Sequence, residues 1–174
     1  MSVHTQDASV LVCLDLQRGR LGADGAGRTI AACREVLREA RARRWPVLHV
    51  HCRDLDPPAC RPISELEPLP SEAIFLRQGP SAFTNRRFSE TAQRLGGPLV
   101  LVGFSLTDTV LATAFAAADR GLLVDVVAEA AGAPAAAREA LLAPLIALGH
   151  RARLVSLRDL FFEDASRFAA ANVP

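Results

Sequence analysis

Short unbroken apolar runs alternate along this chain with longer stretches in which apolar residues recur at helical spacing. A strand buried on both faces needs no polar alternation, so Val10 to Leu16 reads as a central strand of a parallel sheet. Ile30, Cys33, Val36, Leu37 and Ala40 then share one helical face, and Trp45-Pro46 closes that segment. Val47 to His51 is a second strand. Five prolines and little periodicity between Cys52 and Ser71 predict a long surface loop of the kind that borders a site. Ala73 to Leu76 is a third strand, Phe88 to Leu95 a short helix stopped by Gly96-Gly97, and Pro98 to Gly103 a fourth strand that is almost purely aliphatic. A helix from Thr107 to Arg120 ends at Gly121. Leu122 to Val127 is a fifth strand, Pro134 to Leu148 a helix broken at Pro144, Leu154 to Ser156 a sixth strand, and Leu157 to about Ala171 a last helix.

Six strands alternating with helices predict a three-layer α/β/α sandwich around a Rossmann-like parallel sheet, in one domain spanning residues 1–174. Ligands of such sheets bind beyond the carboxyl ends of the strands. That rule directs attention to Asp15-Leu16-Gln17-Arg18, His51-Cys52-Arg53-Asp54, Arg77-Gln78-Gly79-Pro80-Ser81 and the segment from Gly103 to Thr109.

Charge narrows the partners. Twenty basic against nineteen acidic residues leave a formal charge of +1, too little field to recommend nucleic acid or an anionic membrane. No apolar run reaches the roughly 20 residues of a bilayer span, and residues 1–8 lack the order of a signal segment, so a cytoplasmic protein is expected. All twenty basic residues are Arg, which removes any chemistry that needs a Lys ammonium. Cys13, Cys33, Cys52 and Cys60 are scattered without a CxxC pair, the pattern of reduced thiols rather than of a disulfide frame or a zinc site.

A carboxylate closing the first strand, a cation closing the third and a Gly-Phe-Ser turn after the fourth can converge on one crevice. Here the chain resembles the isochorismatase-like cysteine hydrolases, which include nicotinamidases, N-carbamoylsarcosine amidases and isochorismatases. The resemblance lies in LVCLDLQ (11–17), in FLRQGPSAF (75–83) and in LVLVGFSLTDTVLATAFAAADRGLLVDVVAEA (99–130), in the family's order and spacing. It implies the strand order 3-2-1-4-5-6. The family triad of Asp, Lys and Cys falls on Asp15, Arg77 and Thr109, so two of its three members are replaced. Gly103 stands six residues before Thr109, Val110 directly follows it, and no Cys occurs after Cys60, so no shift of register restores a thiol.

The substitutions have chemical weight. A free Cys ionises near about 8.5, whereas Thr has no comparable acidity, and Arg, with a pKa above about 12, cannot exchange protons. Loss of a nucleophile costs on the order of a million-fold in turnover in well-studied hydrolases. The resemblance also implies an oxyanion hole from the backbone N–H groups of Ser105 and Thr109, beside a cis Phe104-Ser105 peptide. Gln17, Ser81, Phe83 and Phe104 are further candidates for contact with a ligand. Ser81-Ala82-Phe83 is equally readable as a turn with a core anchor, Asp15 and Arg77 as an ion pair between strands, and Thr109 as a first-turn residue of its helix.

Three functions follow. The first is a family member with a degenerate triad that binds a small carbonyl or carboxylate compound with weak or no thiol-type hydrolysis. The second is an active hydrolase by a route without Cys: Asp15 protonates an enol ether, as the nucleophile-free branch of the family does, or Thr109 attacks an amide. The third is a structural or regulatory subunit, which a crevice filled by Arg77, Phe83 and Phe104 would favour. No cofactor or metal is expected, since His49 and His51 share a strand face but the next His is His150. One of the two is expected to pack in the core and the other to cap the strand end. Cys52, near the same crevice, has no matched base in sequence. By resemblance the chain is a homodimer or homotetramer, and the small residues of the helix Val110 to Ala118 suit packing between subunits.

Overall fold

The computed structural model describes residues 8–21, 26–133 and 138–162. Six parallel strands form one sheet: β1 (Val10–Leu14), β2 (Val47–Cys52), β3 (Ala73–Arg77), β4 (Leu99–Phe104), β5 (Val124–Gly132) and β6 (Ala152–Val155), in the order β3-β2-β1-β4-β5-β6. The helices are α1 (Ala26–Ala42), α2 (Arg86–Leu95), α3 (Leu111–Asp119), α4 (Arg138–Ala147) and α5 (Leu157–Phe162). The expected strand order is the observed one.

Alternation along the strands feeds two cores. Val10, Val12 and Leu14 face one side with Phe88 and Ala92 of α2, Ala114 and Ala117 of α3 and Leu145 of α4. Leu11 and Cys13 face the other with Val36 and Leu37 of α1 and Leu160 of α5. All five residues of β1 are buried, which is why the strand carries no polar alternation and reads so plainly from sequence. The apolar face of α3 is turned onto its own sheet, with Leu111, Ala114, Ala117 and Ala118 buried, while Phe115 and Ala116 stay partly exposed.

Several boundaries differ from expectation for identifiable reasons. The first strand stops at Leu14 because Asp15 takes a left-handed backbone, φ +50°, which breaks the extended run. Asn85 accepts from the Phe88 N–H at 3.0 Å, so α2 begins at Arg86, and its amide reaches back to the Leu76 carbonyl at 2.8 Å, tying helix to edge strand. The fifth strand runs to Gly132, five residues beyond the expected Val127, through an alanine-rich stretch whose Ala130 and Ala131 are buried. Gly132 lies under the Phe104 ring, and a Cβ there would stand 2.3 Å from a ring carbon. Where a helix was expected from Thr107, a π-helical turn, Leu106–Val110, precedes α3. The sixth strand is Ala152–Val155 rather than Leu154 to Ser156, and Pro144 lies inside α4. Residues 134–137, and the expected last helix beyond Phe162, lie outside the described residues.

The long loop after β2 folds back on the segment following β1. The Arg18 and Gly19 N–H groups donate to the carbonyls of Arg61 and Ala59, each at 2.9 Å, and the Ile63 N–H donates to the Leu16 carbonyl at 2.9 Å. Ile63 and Leu66 are buried beneath it. Among the described residues no helix is long and apolar enough to cross a membrane.

Candidate functional site

β1, β3 and the turn after β4 bring Asp15, Arg77 and Thr109 into contact at the carboxyl ends of the strands. Asp15 is completely buried, and its backbone N–H donates to the Val50 carbonyl at 2.8 Å. Arg77 donates from Nε to both Asp15 oxygens, at 3.0 and 3.1 Å, and from Nη2 to Oδ2 at 2.5 Å. Its Nη1 donates to the Gly79 carbonyl at 2.6 Å. The Thr109 hydroxyl, also fully buried, donates to Asp15 Oδ2 at 3.0 Å. Every side-chain partner of Asp15 is a donor, an arrangement that suits a carboxylate.

A fourth residue joins them that the sequence reading passed over. Arg20, on the 3-10 turn Arg18–Arg20, places Nε 3.3 Å from Asp15 Oδ2 and donates from Nη2 to Asp108 Oδ2 at 2.9 Å. Arg18 lay within the segment marked for inspection, two residues short of it. The usable signal was the short turn after β1, which swings the second Arg of Arg18-Gly19-Arg20 back over the strand end.

The turn after β4 is as the resemblance implies: Phe104-Ser105 is a cis peptide. Gly103, at φ +130°, is packed so tightly on β1 that a Cβ would lie 1.9 Å from the Leu14 carbonyl oxygen, so only glycine fits. The Ser105 carbonyl accepts from the Val110 N–H at 3.1 Å, closing the wide turn that carries Thr109. Among the described residues no protein group accepts from the Ser105 N–H. The Ser105 and Thr107 hydroxyls bond each other at 2.6 Å on the outer side of this turn.

The other candidates are distributed around this centre with different tasks. The Gln17 amide accepts from the Cys52 N–H at 2.7 Å and donates to the carbonyls of Cys52 and Cys60 at 3.3 and 3.0 Å, bracketing the ends of a loop. Ser81 caps the short turn Ala82–Thr84 by accepting from the Phe83 N–H. Phe83 packs edge-on against Phe88 at 5.1 Å, with the Arg120 guanidinium 4.7 Å over its ring. Phe104 is buried in the α1 core. Cys52 is half-buried and stands opposite Arg77 in the β2–β3 register.

His49 and His51 share a face of β2, with ring centroids 6.2 Å apart. His49 is fully buried, as expected of one of the pair, and its Nε2 lies 2.9 Å from Glu72 Oε2. Burial lowers the pKa of His49 against the opposing pull of Glu72, and lowers that of His51 with help from the neighbouring His49. No group of three His, Cys, Asp or Glu side chains is gathered as a metal shell among the described residues. Cys13 and Cys33 are buried thiols, and burial pushes Cys33 up to about 12. All four cysteines are free.

Six parallel strands in the order β3-β2-β1-β4-β5-β6, with Asp15, Arg77 and the Gly-Phe-Ser turn gathered at their carboxyl ends, define a Rossmann-like domain. The profile of the isochorismatase domain matches residues 9–150, and the chain belongs to the isochorismatase family. Solved structures agree in fold. An isochorismatase from Pseudomonas putida KT2440 superposes with TM-score 0.77 at 24% identity, over 91% of this chain and 93% of that one. An isochorismatase family protein from Desulfovibrio vulgaris gives 0.78 at 22% identity, over 88% and 96%. The MAR1 ribonuclease of Caenorhabditis elegans gives 0.77 at 20% identity, over 89% and 80%. None of the curated proteins compared with the chain matches it at a significant level.

Proposed function

We propose that this member of the isochorismatase family binds a small carbonyl or carboxylate compound at the Asp15 crevice, with weak or no thiol-type hydrolysis. The observation that supports this most directly is the closed set around Asp15: Arg77 and the Thr109 hydroxyl both donate to it, where the resemblance puts a Lys and a Cys. Asp15 in this setting fixes the floor of the site. Arg77 cannot shuttle a proton, and Thr109 offers an alcohol in place of a thiol. What remains for a ligand is the rim: the Ser105 N–H toward a carbonyl oxygen, with Thr107, Asp108 and Arg20 around it.

The test is binding and turnover on one preparation. Small amides, carboxylates and enol ethers are screened by calorimetry and by product release, with Asp15→Asn as control. Saturable binding with turnover at background is the expected result. Turnover that Asp15→Asn abolishes would overturn it in favour of an active hydrolase: on an amide with Thr109 as nucleophile, because the 3.0 Å Thr109–Asp15 bond is also the geometry of an alcohol and its base, and on an enol ether with Asp15 as the acid.

A second reading, a structural or regulatory subunit, is favoured by the burial of Arg77, Phe83 and Phe104, at 6%, 7% and 4% exposure. Absence of binding to every compound class in the same screen, together with a defined oligomer, is its signature. The homodimer or homotetramer suggested by resemblance belongs to this proposal, and sedimentation reads it directly.

A further inference from the structure

Asp15 faces two guanidinium groups, and their situations differ. Arg77 has Nε and Nη2 on Asp15 and Nη1 on the Gly79 carbonyl, with a side chain only 7% exposed. Its donors are committed inside the fold. Arg20 is held far less completely. Its Nε lies 3.3 Å from Asp15 Oδ2 without a hydrogen bond to any described residue, and its outer nitrogen bonds Asp108, whose side chain is 45% exposed. The Arg20 side chain is itself 23% exposed, so it reaches from the buried carboxylate to the protein surface.

We infer that Arg20 is the specificity-determining residue of this site, selecting a ligand that carries a carboxylate, and that Asp108 takes the place of that carboxylate until the ligand displaces it. The inference rests on the ligand-binding reading above and names the ligand class within it. A guanidinium offers planar paired donors that match a carboxylate, and Arg20 already donates once, from Nη2, to a carboxylate oxygen of Asp108 at 2.9 Å. Asp108 is a replaceable partner because its side chain is 45% exposed and meets water once released, so exchanging it for a ligand carboxylate costs little. Position favours the exchange as well. Asp108 directly precedes Thr109 on the turn that presents the Ser105 N–H, so a ligand with its carbonyl oxygen there would bring a nearby carboxylate toward Arg20. The backbone beneath Arg20 is fixed by the main-chain bonds of Arg18 and Gly19 to the 52–71 loop, so the guanidinium is carried on a held turn.

Matched pairs of probes test this: acetate against acetamide, and benzoate against benzamide, titrated by calorimetry into wild type, Arg20→Met, Arg20→Lys and Asp108→Asn. Wild type is expected to prefer the carboxylate of a pair by about tenfold, the worth of one charge-assisted contact. Arg20→Met should bring the two within about twofold while amide binding persists, and Arg20→Lys should keep part of the preference because the charge remains. Asp108→Asn should strengthen carboxylate binding severalfold by removing the competitor. A preference unchanged in Arg20→Met, or carboxylate binding weakened in Asp108→Asn, overturns the inference and leaves the ligand-binding reading standing. Failure of wild type to bind any of the four probes overturns both. Circular dichroism on each variant separates loss of fold from loss of selection.

Discussion

Two arginine–carboxylate pairs flank β2, and they do different work. At its carboxyl end Arg77 grips Asp15 in full burial, with Thr109 and Arg20 crowding the same carboxylate. Toward its start, Arg41 grips Glu72 at 2.8 and 2.9 Å, and Glu72 also accepts from the Leu69 N–H and meets His49. The second pair is a fastener: it secures the end of the 52–71 loop beside a cleft of about 250 Å³ lined by Arg41, Trp45, Val47, Leu69 and Glu72. The first adds a second guanidinium, Arg20, that links the buried Asp15 to the half-exposed Asp108. The contrast teaches that a buried ion pair is not by itself a sign of a site. What distinguishes the Asp15 end is a second guanidinium on the same carboxylate and, among the described residues, a Ser105 N–H without a protein acceptor.

The comparison breaks most visibly at Asp15. Asp15→Ala leaves Arg77 buried without its counter-charge, at a cost of about 3–5 kcal/mol and a Tm lowered by roughly 6 to 20 °C in thermal unfolding. Glu72→Ala is expected to cost less, about 1–3 kcal/mol, because Arg41 is 27% exposed and reaches water once released. Limited proteolysis should then cut between residues 52 and 71 faster than in wild type, while small-molecule binding at the Asp15 end is unchanged. Thr109→Val removes a single donor and should lower stability by about 1 kcal/mol.

The smallest effect falls on the pH axis and separates the two ends again. His49 and His51 titrate below their ordinary 6.5 in the fold, so on acidification the unfolded chain takes up their protons first. Their contribution is whole above about 6.5 and falls away below it. Burial pushes Glu72 up, but Arg41, the Leu69 N–H and His49 outweigh it and hold it at about 2 against an ordinary 4.5. Its contribution is therefore whole above about 4.5 and is lost as the pH falls toward 2. Tm should decline in two stages as the pH is lowered from neutrality, the first abolished in His49→Gln/His51→Gln and the second in Glu72→Gln.

Much of this was readable from residues alone where a single rule dominates. Burial on both faces wrote β1 and β4 as apolar runs, and Gly96 stopped α2 with a left-handed φ of +70°. The sheet order came with the resemblance. Long-range geometry was less legible. The extension of β5 to Gly132 depends on Phe104 lying across it from another strand, and alanines in a row give no periodicity to betray a strand. Topology pointed to the strand ends that carry Asp15 and Arg77, and the resemblance picked out Thr109 and joined the three. Arg20 was not found, since it lies two residues beyond the segment marked at the end of β1 and is folded back onto Asp15 by a 3-10 turn. Glu72 was missed for a similar reason: its partners Arg41 and His49 come from a helix and a strand far away in sequence.

The Gln17 bracket bears on how such a protein diversifies. Gln17 and its neighbours hold the loop through main-chain atoms of Cys52, Ala59, Cys60 and Arg61, never through the loop's side chains. Those bonds are thus indifferent to the side chains of residues 53–56, so substitution there leaves the bracket intact and the loop can vary without rebuilding the scaffold.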